Sequence, residues 1–228
     1  VSKLGDLYEL GSHRVICGDS TKLEDVERLM NGTVPDFVFA DPPYGIDIVS
    51  NGKVGGDKIV ESKEYSKIIG DNTTETAQAF YNTCRALEFK NIALWGGNYF
   101  TGFLPPSRCW IIWDKEMTGN FSEAEMAWTS FKKGGVKVFK FLWNGLAREG
   151  NKKDELKTRI HPTQKPVGLF VQIFLRFDGF KKIFDGFLGS GSTLIAAQKT
   201  NRVCYGMELD PKYVDVIVSR FCKYVGNN

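Results

Sequence analysis

The 228-residue sequence is 42% hydrophobic and 25% charged, the composition of a globular chain with one substantial core rather than two independent domains. It lacks an apolar run long enough to cross a bilayer, and residues 1–10 lack the charged-then-apolar layout of a secretion signal, so a cytoplasmic location without membrane contact is expected. Five scattered cysteines, never in a CxxC pair, and two histidines argue against a disulfide framework and a zinc site, and no metal is expected.

In chain order, residues 14–17 form a short apolar run that stops at Gly18-Asp19, followed by a helix with Leu23, Val26 and Met30 on one face. A second run, 37–40, ends at Asp41-Pro42-Pro43, where two residues without an N–H halt a strand. Continuous rather than alternating apolar runs predict strands covered on both faces, as in a parallel sheet. Residues 45–71 dissolve into Gly, Lys, Ser and Asn and read as a long mobile loop over the site. Asn72 and Glu75 suggest a capping box for a helix bearing Ala77, Phe80, Tyr81, Cys84 and Leu87. Runs 92–95 and 110–113 read as strands, and 125–131 with 136–143 as an antiparallel hairpin turned by Gly134-Gly135. Residues 145–159 are a polar, basic loop. A helix with Val167, Phe170, Val171, Phe174 and Leu175 follows, then a strand at 183–184, a glycine-rich turn, another helix, a strand at 203–207 closed by Glu208, and a last helix capped by Asp210-Pro211. This alternation predicts an α/β fold, a doubly wound and mostly parallel sheet with ligand sites at the carboxyl ends of its strands.

Charge is unevenly spread. Net charge is +3, but residues 131–165 hold ten Lys/Arg against three Asp/Glu, an excess of +7, which leaves −4 for the remainder. A basic segment on a slightly acidic body suits a phosphate-facing surface, although charge alone fits a solvated surface equally well. The tryptophans read as core rather than as readers of bases.

Three constellations sit where strands end. In 186–191 glycines allow a tight turn, and Ser190, Ser192 and Thr193 stand at a helix N-terminus beside backbone N–H groups able to hold a carboxylate. The turn is neither a P-loop nor a dinucleotide fingerprint. With Glu208 ending the next strand, where an acid grips ribose hydroxyls, it favours an adenosine-bearing cofactor over a plain tight turn. At Asp41-Pro42-Pro43-Tyr44, a carboxylate and a rigidly directed prolyl carbonyl would accept both N–H bonds of a base's exocyclic amine and so localise its lone pair, and Tyr44 offers a face for a base taken out of the stack. His161-Pro162-Thr163-Gln164-Lys165-Pro166 precedes a helix. A hydroxyl and a lysine there suit a cofactor's methionine end, and an N-cap followed by proline accounts for the segment as well.

These motifs, DPPY at 41–44, HPTQKP at 161–166 and FDGFLGSGST at 184–193 with Glu208 behind, resemble the amino-methyltransferases of DNA. Their order resembles the β group, in which the cofactor motif lies C-terminal to the catalytic one, hence a circularly permuted motif order on a Rossmann-like methyltransferase fold. The match covers both ends of the chain and leaves about 45–160 unmatched. The resemblance implies S-adenosylmethionine as cofactor and direct methyl transfer to N6 of adenine in DNA after base flipping. Asp rather than Ser at position 41 leans toward adenine over N4 of cytosine, and a catalytically silent DNA-binding module is the rival from another class. By the same resemblance Asp41, Pro42, Pro43 and Tyr44 are catalytic, and Asp19, Asp41, Thr163, Lys165, Asp185, Phe187, Gly189, Gly191, Ser192, Thr193 and Glu208 bind cofactor. One methyltransferase domain, 1–228, is expected, with a small target-recognition insertion at 114–160. DNA is the implied partner, and a homodimer and a cognate restriction endonuclease come into consideration with it.

Overall fold

The computed structural model describes residues 1–47, 70–117, 122–142 and 164–226, with the backbone alone at 49–50 and 53–54. The expectations for Thr163, His161, most of the 45–71 loop and the basic residues 145–159 lie outside the described residues. A nine-stranded sheet runs in the order β1 (Leu7–Leu10), β2 (His13–Cys17), β11 (Val203–Glu208), β10 (Lys182–Asp185), β3 (Phe37–Ala40), β6 (Ile92–Trp95), β8 (Ala124–Thr129), β7 (Trp110–Asp114), β9 (Lys137–Lys140), beside a separate two-residue pair, β4 (Val49–Ser50) with β5 (Lys53–Val54). The central strands from β2 to β6 pair in parallel, whereas β1, β8 and β7 join antiparallel.

Strand parity explains the two layers, since successive side chains point to opposite faces. Phe37 and Phe39 of β3, with Ala93 and Trp95 of β6, face helices α3 (Val167–Arg176), α4 (Ser192–Lys199) and α5 (Pro211–Val225). Val38, Ala40, Ile92 and Leu94 face α1 (Leu23–Met30) and α2 (Glu75–Ala86). All four positions of β3 and of β6 are buried, as continuous apolar runs require in a sheet covered on both sides. Phe39 meets Trp95, Phe170 and Phe174 edge to face at 6.0, 4.8 and 5.2 Å. Burying such a ring contributes about 1.5–3 kcal/mol, so the strand that carries the DPPY segment is firmly held.

Several local expectations are corrected. The strand after Gly134-Gly135 does not fold back on β8. It runs parallel to β7, from Ile111↔Lys137 to Asp114↔Lys140, because β8 is already paired on both edges, with β6 and with β7. The capping box is not formed: Glu75 is the first residue of α2, Thr74 stands at the N-cap without a side-chain bond, and the Glu75 amide donates to Thr73 Oγ1 at 3.3 Å. In α1, Leu29 replaces the exposed Leu23 on the buried face beside Val26 and Met30. β1, which covers one sheet edge, was not anticipated. Asp210 does cap α5, accepting from the Lys212 amide at 2.9 Å with Pro211 at the first helical position. Within the expected insertion, 114–160, the described segments Ala124–Thr129 and Lys137–Lys140 are strands of the main sheet. No helix among the described residues is long and apolar enough to cross a membrane.

Candidate active site

β11, β10 and β3 are neighbours and parallel, so their carboxyl ends place Glu208, Asp185 and Asp41 side by side. All three acids line one cleft of about 150 Å³ with Pro42, Pro43, Tyr44, Lys165, Phe187, Gly189, Ser192 and Thr193. Gly191 sits just behind, at the N-cap of α4 with φ 85°. Asp19 is not among the lining residues; its Oδ1 accepts from the Thr21 amide at 3.0 Å and the Thr21 hydroxyl at 2.7 Å.

The Asp41 carboxylate is held at both oxygens. Oδ1 accepts from the Tyr44 hydroxyl at 2.7 Å and Oδ2 from Lys165 Nζ at 2.6 Å. Lys165 arrives directly ahead of α3, and its carbonyl accepts from Ser192 Oγ at 2.8 Å, which ties the DPPY end of the site to the glycine turn. The ammonium also donates to the Tyr44 oxygen at 3.0 Å and approaches Glu125 Oε2 at 3.2 Å. Lys115 takes the other Glu125 oxygen at 2.9 Å. Lys165 further lies over the rings of Tyr44 and Trp95, at 5.4 and 5.7 Å. The Tyr44 ring stacks on Tyr99 at 5.2 Å and 19°, and it fills the space where a Cβ on Gly96 would stand; φ of +73° at Gly96 suits glycine for a second reason.

At the other end of the cleft, Asp185 Oδ1 accepts from the Phe187 amide at 2.9 Å, and the Thr193 hydroxyl bonds the same carboxyl. Glu208 fixes the turn: its Oε2 accepts from the Gly189 amide and its Oε1 from the Asp210 amide, both at 2.9 Å. A Cβ at Gly186 would overlap Phe80, so the turn approaches α2 as closely as only glycine permits.

Electrostatically the two ends differ. Burial pushes the Asp185 and Glu208 carboxyls up to about 7, because their donors are neutral and neither has an ion-pair partner among the described residues. Around Lys165, burial alone would depress the ammonium, but Asp41 and Glu125 outweigh it and hold Lys165 charged. Burial likewise works against the Glu125 carboxylate, and Lys165 and Lys115 outweigh it, so Glu125 stays ionised. Asp41 is raised by burial and by the neighbouring Glu125 charge, with Lys165 opposing. Burial and the adjacent Asp41 keep the Tyr44 hydroxyl protonated. The cleft therefore offers a carboxylate able to accept from an amine, next to two carboxyls with no ion-pair partner among the described residues, a setting that favours a ligand with cationic and hydroxyl groups.

Glu125, Lys115, Tyr99 and Trp95 complete this cluster and were missed in the sequence. A signal existed for Glu125 alone: alternation in β8 sets it on the same face as buried Ala127, an unusual place for a carboxylate without a partner.

The family model described as DNA methylase, of the N6/N4 methyltransferase type, matches residues 112–219. The chain is 27% identical to the type II methyltransferase M2.LlaDCHI of Lactococcus lactis subsp. cremoris, over 95% of this chain and 91% of that protein. Among solved structures it resembles the M1.HpyAVI–SAM complex, with a TM-score of 0.53 and 13% identity over 90% of this chain and 97% of the other. It also resembles the PvuII DNA methyltransferase, described as cytosine-N4-specific, with a TM-score of 0.56 and 13% identity over 95% and 89% of the two chains.

Proposed function

We propose that this chain is a DNA amino-methyltransferase of the N6/N4 type, a reading its match to that family over residues 112–219 supports, and that it transfers the methyl group of S-adenosylmethionine to N6 of adenine in DNA. The observation that carries this reading is the convergence of Asp41, Asp185 and Glu208 at three adjacent strand ends on one cleft. S-adenosylmethionine is named in the solved M1.HpyAVI complex, and the cleft here suits it: two carboxyls with no ion-pair partner among the described residues would face a cationic ligand bearing hydroxyls, beside a glycine turn. Bound there, the cofactor supplies an already activated methyl on sulfur. Glu208 is assigned to its ribose hydroxyls. Asp185, Phe187, Gly189, Ser192 and Thr193 line its seat.

Asp41 and the Pro42 carbonyl accept the two N–H bonds of the target amine, which turns the nitrogen lone pair toward the methyl. Catalysis then rests on positioning and on stabilising charge that moves onto nitrogen. Reaching Asp41 requires the base to leave the duplex stack, and Tyr44 with Tyr99 forms an aromatic wall beside it. Lys132, Lys133 and Lys140 are exposed on and ahead of β9 and are assigned to phosphate contacts. The segments 45–71 and 114–160 are assigned to closure over the base and to target recognition.

The test combines purified protein, unmethylated genomic DNA and cofactor carrying a labelled methyl, followed by nucleoside digestion and mass spectrometry. Label in N6-methyladenine is expected. Label in N4-methylcytosine keeps the mechanism and overturns the base, and absence of label from DNA with cofactor bound overturns the function. Asp41→Ala should lower turnover by about a hundredfold or more while cofactor affinity stays within about twofold; equal losses of both would sink the assigned role.

A further inference from the structure

We propose that Glu125 is a positioning residue of the methyl-transfer step, drawing part of the Lys165 ammonium away from Asp41 so that Asp41 stays available to the target amine. This rests on the function proposed above. An ammonium has three protons to donate, and Lys165 has three acceptors around it: Asp41 Oδ2 at 2.6 Å, the Tyr44 oxygen at 3.0 Å and Glu125 Oε2 at 3.2 Å. The side chain of Lys165 is 7% exposed, so water cannot replace a lost partner. Lys115 at 2.9 Å holds Glu125 from behind, and the charges alternate along the row Lys115, Glu125, Lys165, Asp41.

Without the Glu125 charge, Asp41 becomes the sole ion-pair partner of a buried ammonium among the described residues. The pair tightens, the carboxylate loses basicity, and the amine competes for it less well. The Tyr44 hydroxyl donates its one proton to Asp41 at 2.7 Å and lies 3.5 Å from Glu125, so it stays with Asp41 in either case. Glu125 comes from β8, whereas Asp41 follows β3 and Lys165 precedes α3, so the antiparallel part of the sheet contributes to the chemistry of the parallel part.

The experiment measures kcat against pH at saturating cofactor, which removes the cofactor-binding acids from the profile. The charged or titratable groups around Asp41 are Lys165 ahead of α3, Tyr44 on its own loop, Glu125 on β8 and Asp185 ending β10. Glu125→Gln keeps the shape and removes one negative charge. Expected are a plateau kcat at least about tenfold lower, an acid limb displaced to lower pH, and cofactor Kd and KM for DNA within about twofold. Lys115→Met removes the outer cation, and the acid limb should move the opposite way, to higher pH. Glu125→Asp, which restores the charge, should return part of the lost kcat.

An unchanged plateau and limb in Glu125→Gln overturns the inference, as does a parallel loss of cofactor affinity and kcat. Should Glu125→Gln not fold, Lys115→Met decides by the direction of its limb alone. A wild-type chain that transfers no label to DNA overturns the proposed function itself, and this result is distinct from an active wild type with an unaffected variant.

Discussion

Asp185→Asn is a replacement in the cleft that should make the empty protein more stable. The carboxyl is buried, accepts from the Phe187 amide and the Thr193 hydroxyl, and is pushed up to about 7 from 3.8. A raised folded-state pKa lets the acid contribute its full stability below its unfolded value and lose it as pH rises toward 7, so at pH 8 the ionised form costs the fold about 4 kcal/mol. At pH 5 the same linkage gives about 1.6 kcal/mol. Asparagine keeps the oxygen that accepts from Phe187 and can donate to Thr193 in place of the charge. Urea denaturation of cofactor-free wild type and variant at both pH values reads the difference, and the variant's advantage should be larger at pH 8 by about 2–3 kcal/mol. Cofactor should reverse the order, since a cationic ligand rewards the carboxylate. An advantage equal at the two pH values, or a variant less stable at pH 8, refutes the argument.

Lys165→Met leaves the half-buried Asp41 and Glu125 carboxylates without their shared cation; a loss of about 1–3 kcal/mol is expected in the same denaturation assay. Gly96→Ala strains a backbone at φ +73° and pushes a methyl into the Tyr44 ring. It should lower kcat about tenfold or more with cofactor affinity retained, as read by titration calorimetry beside the methylation assay. Because burial pushes Asp185 and Glu208 up to about 7 and both must be ionised to hold a cationic ligand, cofactor affinity should fall at least about tenfold between pH 8 and pH 6; calorimetry showing a flat affinity there would contradict their roles.

Much of this site was readable because its ingredients are local. DPPY, the glycine turn and Glu208 each follow an apolar run, and β/α alternation brings strand ends to one side of a sheet whatever the strand order. The order itself was hidden. It depends on pairings such as β3 with β10, between segments some 145 residues apart in sequence, and no local pattern encodes them. The misread hairpin shows the same limit: Gly134-Gly135 marks a bend, but whether the chain then pairs with β8 or passes to the far edge of β7 depends on which edge β6 has taken. The partners of Glu125 were hidden for a related reason. A carboxylate in an apolar strand announces that a partner exists, and only the fold reveals that the partners are Lys115, one strand away, and Lys165, forty residues on.

Charge is distributed along the cleft in a way that links these features to the reaction. At the amine end four alternating charges are already balanced within the protein, and Asp41 shares the Lys165 ammonium with Glu125. At the cofactor end the hydrogen-bond donors to Asp185 and Glu208 among the described residues are neutral, so burial raises both carboxyls to about 7 and a positive ligand would favour their ionised forms. The same burial that weakens the empty fold above pH 7 thereby strengthens its preference for a positively charged donor.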